Sequence, residues 1–241
     1  MNLVVLFESD FIPGSHTAVL EGRRLRHVRD IHRASPGQTL KVGLLNGLTG
    51  QGLITSMDRQ RLSMEVLLDL EPPPPLPLNL VLALPRPKVL NRVVAAAASM
   101  GVKNIWLIHA YKVEKSYWQS PRLSPENLQV QSVLGLEQAR DTVLPAIIVK
   151  QRFKPFVEDE LPAIAANTLS LVADPSGETA PPVDLAAPVT LAIGPEGGFI
   201  PYEVDMLKRA GFTAVHLGQR ILRVETALPA VIYRLFSPSL L

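Results

Sequence analysis

Leu191-Ala192-Ile193-Gly194-Pro195-Glu196-Gly197-Gly198-Phe199 is an apolar run that ends in a glycine-rich turn carrying one carboxylate. A helix-like segment follows it. Glycine lets main chain bend through positive φ and come close to a ligand. A strand tip opening onto such a turn is where α/β proteins bind nucleotide-like cofactors. A second turn follows at Leu217-Gly218-Gln219-Arg220-Ile221-Leu222-Arg223-Val224-Glu225-Thr226-Ala227. The first turn matches neither the spaced triple glycine of dinucleotide sites nor the Gly-Lys-Ser/Thr of phosphate loops, which disfavours dehydrogenases, kinases and NTPases.

Working outward, strand-like runs alternate with helix-like ones. They are Leu80 to Leu84, Val89 to Met100, Ile105 to Ile108, Glu126 to Thr142, Leu169 to Val172, Val189 to Ile193, Tyr202 to Ala210, Ala214 to Leu217 and Glu225 to Phe236. Such alternation predicts a mainly parallel sheet covered by helices. The stretch from Pro175 to Pro188 reads as a polar surface loop. Pro229 falls early in the last helix, where proline is tolerated only within about the first turn.

Pro72-Pro73-Pro74-Pro75-Leu76-Pro77 breaks both helix and sheet, and a polyproline stretch is extended and semi-rigid. A domain boundary is placed there, giving domains 1–72 and 73–241. Before it, short runs at Leu40 to Leu44, Gly52 to Ile54 and Leu62 to Val66 are separated by turn signals, among them Asn46-Gly47. That pattern predicts hairpins in a small β-barrel or sandwich.

Gly22 to Arg33 holds five arginines in twelve residues. Leu25, Val28 and Ile31 are spaced to point a helix into a core, and the arginines either form a solvated face or contact phosphate with their planar donors. In the 126–142 helix, Glu137 and Arg140 read as a solvated face or a functional pair. Tyr117, Trp106 and Trp118 read as core or as stacking platforms.

Composition bounds the rest. The chain has 241 residues, is 47% hydrophobic and carries 24 Lys+Arg against 22 Asp+Glu, so nucleic-acid binding must rest on local clusters. It has no cysteine, which excludes disulfides and thiolate chemistry. Its five histidines (His16, His27, His32, His109, His216) show no metal-ligand spacing. No run approaches the roughly 18 apolar residues of a membrane span, and Glu8 comes too early for a secretion signal. A cytoplasmic protein without metal is the expectation.

Taken together, the Ile193–Phe199 and Leu217–Ala227 turns resemble those of the RsmE family of ribosomal RNA methyltransferases, in the SPOUT class. Leu136-Glu137-Gln138-Ala139-Arg140 is similar to that family's glutamate–glutamine–arginine segment. The resemblance implies an α/β fold: a knotted SPOUT domain with a C-terminal trefoil knot, preceded by a small PUA-like RNA-binding β-barrel domain. It implies methylation of uridine N3 in small-subunit (16S) ribosomal RNA, S-adenosylmethionine (SAM) as methyl donor, and a homodimer. The cofactor residues would be Ile193, Gly194, Pro195, Glu196, Gly197, Gly198, Leu217, Gly218, Ile221, Leu222, Thr226 and Ala227. Arg223, Glu196, Glu225 and Arg140 would serve the chemistry, and Arg23, Arg24, Arg26 and Arg29 would meet RNA. One departure stands out: where the family has glutamate–leucine–glycine, this chain has Ser99-Met100-Gly101. Two alternatives stay open, a SPOUT enzyme acting on transfer RNA and a silent RNA-binding ribosome-assembly factor.

Overall fold

The computed structural model describes residues 2–31 and 33–237. His32, part of the basic segment, lies outside the described residues. The chain divides into two units, Met1–Pro73 with Leu136–Leu144, and Pro74–Gly135 with Pro145–Leu241.

In the first unit, strands β1 (Val4–Leu6), β2 (Thr17–Leu20), β3 (Thr39–Leu44), β4 (Thr49–Met57) and β5 (Leu62–Leu70) form one curled sheet, ordered β1-β3-β4-β5-β2. β1 runs parallel to β3, while the β3–β4, β4–β5 and β5–β2 pairs are antiparallel. The Asn46-Gly47 hairpin forms, with Asn46 at φ 60° and the Gly47 N–H donating to Leu44 at 2.8 Å. Asparagine tolerates that left-handed conformation, which fits the turn to the twist of its strands. Residues of alternate strand positions meet Leu25 and Val28 of helix α1 (Gly22–Asp30) in one apolar core. Ile31, expected in that core, is 68% exposed. Steps of three residues fall short of a full helical turn by about 60° each, so the third apolar position drifts off the buried face, and the helix has already ended.

In the second unit, β6 (Leu78–Ala83), β7 (Asn104–Ile108), β8 (Ala146–Lys150), β9 (Leu169–Ala173), β10 (Val189–Ile193) and β11 (Thr213–Val215) form a sheet ordered β11-β9-β10-β6-β7-β8. Every pairing in it is parallel. Apart from Asn79 and Thr190 the central strands β6 and β10 are apolar, because both faces are covered; Leu80, Val81, Leu82, Leu191 and Ala192 are all fully buried. The helices are α2 (Pro87–Ser99), α3 (Pro125–Ala139, whose residues from Leu136 on belong to the first unit), α4 (Phe153–Pro155), α5 (Leu161–Ile164), α6 (Pro201–Arg209) and α7 (Val224–Leu235), with a π turn at Phe156–Glu160 between α4 and α5. This is the expected α/β arrangement.

Two boundaries and the place of one proline differ from the sequence reading. α3 stops at Ala139, not Thr142: Arg140 takes φ 61° and the Asp141 N–H reaches back to Leu136 at 3.1 Å, a Schellman ending with arginine where glycine is usual. Leu217 lies beyond β11, in the following turn. Pro229 is past the first turn of α7, so the Glu225 carbonyl has no proline N–H to accept from. Among the described residues, no helix is long and apolar enough to cross a membrane, and no group of three or more His, Asp or Glu side chains could hold a metal.

Candidate cofactor cleft

β9, β10 and β11 end side by side. Ile193 pairs with Ala173, and Ala173 pairs with Val215. The three loops that follow therefore start level, at the carboxyl edge of a parallel sheet, where α/β proteins bind ligands. Between them lies a cleft of about 630 Å³, walled by 173–176, 193–199, 217–222, Val224 and Ala227. That volume falls within the range of about 300–1,000 Å³ usual for small-molecule sites.

The Gly194–Gly198 turn is fixed from behind. A Cβ added at Gly194 would come within 2.9 Å of the Phe199 nitrogen, so only glycine fits there. Gly198 sits at φ 69° with open space where a side chain would be. One carboxylate oxygen of Glu196 accepts the Arg86 N–H at 3.0 Å. The Lys112 ammonium donates to the Gly197 carbonyl at 2.6 Å. Glu203, at the start of α6, accepts from the N–H groups of Tyr111 and Ile200 at 2.7 and 3.0 Å. In the second turn the Gly218 N–H donates to His216 Nδ1 at 3.0 Å. Two aromatic side chains packed against the core do polar work as well: Trp118 Nε1 donates to His109 Nδ1 at 2.9 Å, and the Tyr117 hydroxyl donates to Glu114 at 3.0 Å. Burial, and next the Glu114 carboxylate, push the Tyr117 phenol above its ordinary range, keeping it a donor.

Of the expected cofactor residues, Ile193 to Gly198, Leu217, Gly218, Ile221, Leu222 and Ala227 line the cleft together. Thr226 is exposed on α7 and is not among the lining residues. Of the residues expected at the chemistry, Glu196 is in the wall. Arg223 caps α7, exposed, with its carbonyl accepting the Thr226 and Ala227 N–H groups. Glu225 pairs with Arg92 of α2 at 3.4 Å, and its other oxygen is buried without a hydrogen-bond partner. Arg140 belongs to the first unit and lines a hollow there whose walls are all first-unit residues.

The third wall was missed. Asp174 Oδ1 accepts from both the N–H and the hydroxyl of Ser176, at 2.9 and 2.6 Å. The stretch 175–188 is also less free than a plain surface loop, since the His216 N–H donates to Thr179 and the Leu185 N–H to Leu235.

The α1 arginines are largely committed within their own unit. Arg24 grips both oxygens of Asp10, at 2.5 and 2.7 Å, and the Val5 carbonyl. Arg23 pairs with buried Glu137 at 3.2 Å. Arg29 pairs with its neighbour Asp30 at 2.7 Å, and Arg26 is exposed.

A six-stranded parallel sheet with a glycine-walled cleft at its carboxyl edge is an α/β fold built to hold a nucleotide-like ligand. An RNA methyltransferase domain matches residues 72–235, and the chain belongs to that family. Ribosomal RNA small subunit methyltransferase E of Treponema pallidum is 28% identical over 232 residues, covering 94% of this chain and 87% of the relative. The protein of that name in Mycobacterium bovis is 27% identical over 233 residues, covering 93% and 88%. Among solved structures, ribosomal RNA small subunit methyltransferase E of Neisseria gonorrhoeae, bound to S-adenosyl methionine, superposes with TM-score 0.72 at 20% identity, covering 95% of each chain.

Proposed function

We propose that this chain is a SAM-dependent methyltransferase acting on N3 of a uridine in small-subunit ribosomal RNA. The observation that carries this reading is the cleft made by three level loops, with glycine main chain on one side and apolar side chains on the other. Its walls suit the donor: Leu217, Leu222 and Ala227 offer an apolar bed for a purine. The main chain of Gly194 to Gly198 offers polar groups at close range, and Asp174 offers a carboxylate for hydroxyl or ammonium groups. When bound, SAM supplies a methyl group activated by a sulfonium cation.

The protein's task is then orientation and proton removal. Uridine N3 attacks well only after losing its proton. Glu196, in the cleft wall and oriented by the Arg86 N–H, is the carboxylate placed to take it, directly or through water. Arg223 is exposed where α7 begins, and its guanidinium steadies the anionic base. Glu225 instead ties α7 to α2 through Arg92. The two copies of a homodimer would cover Ile221, which is 84% exposed at the cleft rim. The strand order, with β10 between β6 and β9, suits a trefoil knot in the C-terminal domain.

The test is mass spectrometry of nucleosides from small-subunit ribosomal RNA incubated with SAM and the chain. One 3-methyluridine is expected. It is lost in Glu196→Gln while SAM still binds. Methylation of transfer RNA instead, or of no RNA, overturns the reading.

A further inference from the structure

We propose that a hollow in the first unit, between β3, β4 and the end of α3, seats RNA backbone phosphate. The proposal rests on the reading of the chain as a ribosomal RNA methyltransferase, and it names where the first unit holds that RNA. The hollow encloses about 420 Å³ and includes Leu3, Thr39, Lys41, Gln51 and Arg140; no Asp or Glu lines it. Lys41 and Arg140 are exposed. Among the described residues neither the Lys41 ammonium nor the Arg140 guanidinium has a hydrogen bond or ion pair.

Arg23 and Arg24 of α1 stand in contrast to the two cations of the hollow. Arg24 is closed over Asp10 and lies 4.9 Å from the Phe7 ring centroid. Arg23, half exposed, pairs with the buried Glu137 carboxyl. Turning either toward RNA would strip a partner from a carboxyl group, and for the largely buried Arg24–Asp10 pair that loss is strongly destabilising. Lys41 and Arg140 have no such partner to leave.

The hollow is also held in shape. Arg140 is fixed in a left-handed conformation by the Schellman ending of α3. The residues after it are stitched to the β3–β4 hairpin. Asn46 N–H donates to the Thr142 carbonyl at 2.8 Å, the Thr142 hydroxyl to Gly47 at 2.5 Å, and the Leu144 N–H to Asn46 Oδ1 at 2.8 Å. Lys41 pairs across the ladder with Gln51, which adds an amide beside the two cations. A planar guanidinium and a mobile ammonium about one rigid hollow suit phosphate oxygens, and sequence-independent phosphate contact is what gives RNA binding its salt dependence.

The test measures binding of a 16S ribosomal RNA transcript by the full chain across a salt series. Lys41→Gln, Arg140→Gln and the pair are compared with Arg26→Gln on α1. Each hollow variant is expected to weaken binding about tenfold at low salt and to lower the slope of log affinity against log salt by about 1. Lys41→Arg restores both. Calorimetric SAM affinity and the unfolding temperature stay at wild-type values, which separates lost contact from lost fold. Wild-type RNA affinity and slope in the double variant would overturn the site, as would a loss confined to Arg26→Gln. A wild-type chain that binds SAM but no RNA would bring down the RNA reading, and this site with it.

Discussion

Three alanine substitutions in one turn separate main-chain crowding from backbone strain and from side-chain contact. At Gly194 the added methyl meets the Phe199 nitrogen at 2.9 Å and the Gly198 main chain at 3.2 Å. Neither neighbour is a flexible tip, so the turn itself must move. Overpacking of this kind costs about 1–3 kcal/mol, or about 5- to 150-fold in affinity once the turn relaxes away from the donor. At Gly198 the methyl meets nothing, but φ is 69°. A left-handed conformation costs a side-chain-bearing residue about 1–2 kcal/mol, or about 5- to 30-fold. At Gly197 the methyl meets only Lys112 Cδ, at 2.8 Å. That flexible chain swings aside, and an exposed hydrogen bond worth about 1 kcal/mol or less is lost, so the effect stays under about fivefold. Calorimetric titration with SAM reads all three, with thermal unfolding as a control. The reasoning is refuted if Gly194→Ala binds SAM like the wild type, or if Gly197→Ala is the most damaged of the three.

Other expectations follow from single contacts. Asp174→Ala weakens SAM binding about tenfold, as loss of a charged hydrogen bond would; calorimetry that shows no change removes Asp174 from the site. Thr190 is fully buried with its hydroxyl 2.8 Å from that of Thr168, so Thr190→Val should cost about 1 kcal/mol and lower the unfolding temperature by about 2–4 °C. Burial raises the Glu137 carboxyl above its ordinary 4.5 despite the opposing pull of Arg23. The folded state then holds the proton more tightly, so this group's contribution is full below about 4.5 and is lost as pH rises through the raised value. The stability difference between wild type and Glu137→Gln, measured in urea, should fall over that window, and a flat difference would contradict it.

The cleft was readable because two of its walls carry glycine turns directly after apolar strands, and their chemistry shows in the residue types alone. The third wall gave no such sign. Asp174-Pro175-Ser176 has the composition of any surface turn, and only the pairing of Ala173 with both Ile193 and Val215 brings it to the ligand side. The partners of the α1 arginines were hidden for a related reason. A run of like charges looks solvated in sequence, but Asp10 and Glu137, which lie 14 and 114 residues from their arginine partners, are met only on folding. Helix ends were blurred where no glycine marked them, as at Arg140. The alternation of strands and helices carried the parallel architecture through all of this, because buried strands in such sheets are apolar on both faces.

The central claim is that the loops after β9, β10 and β11 together hold one methyl donor. Crystals of the chain grown with SAM test it most directly. The account predicts donor density between Gly194–Gly198 and Leu217–Leu222, with Asp174 within hydrogen-bonding distance. Density for the donor anywhere else on the chain would contradict it.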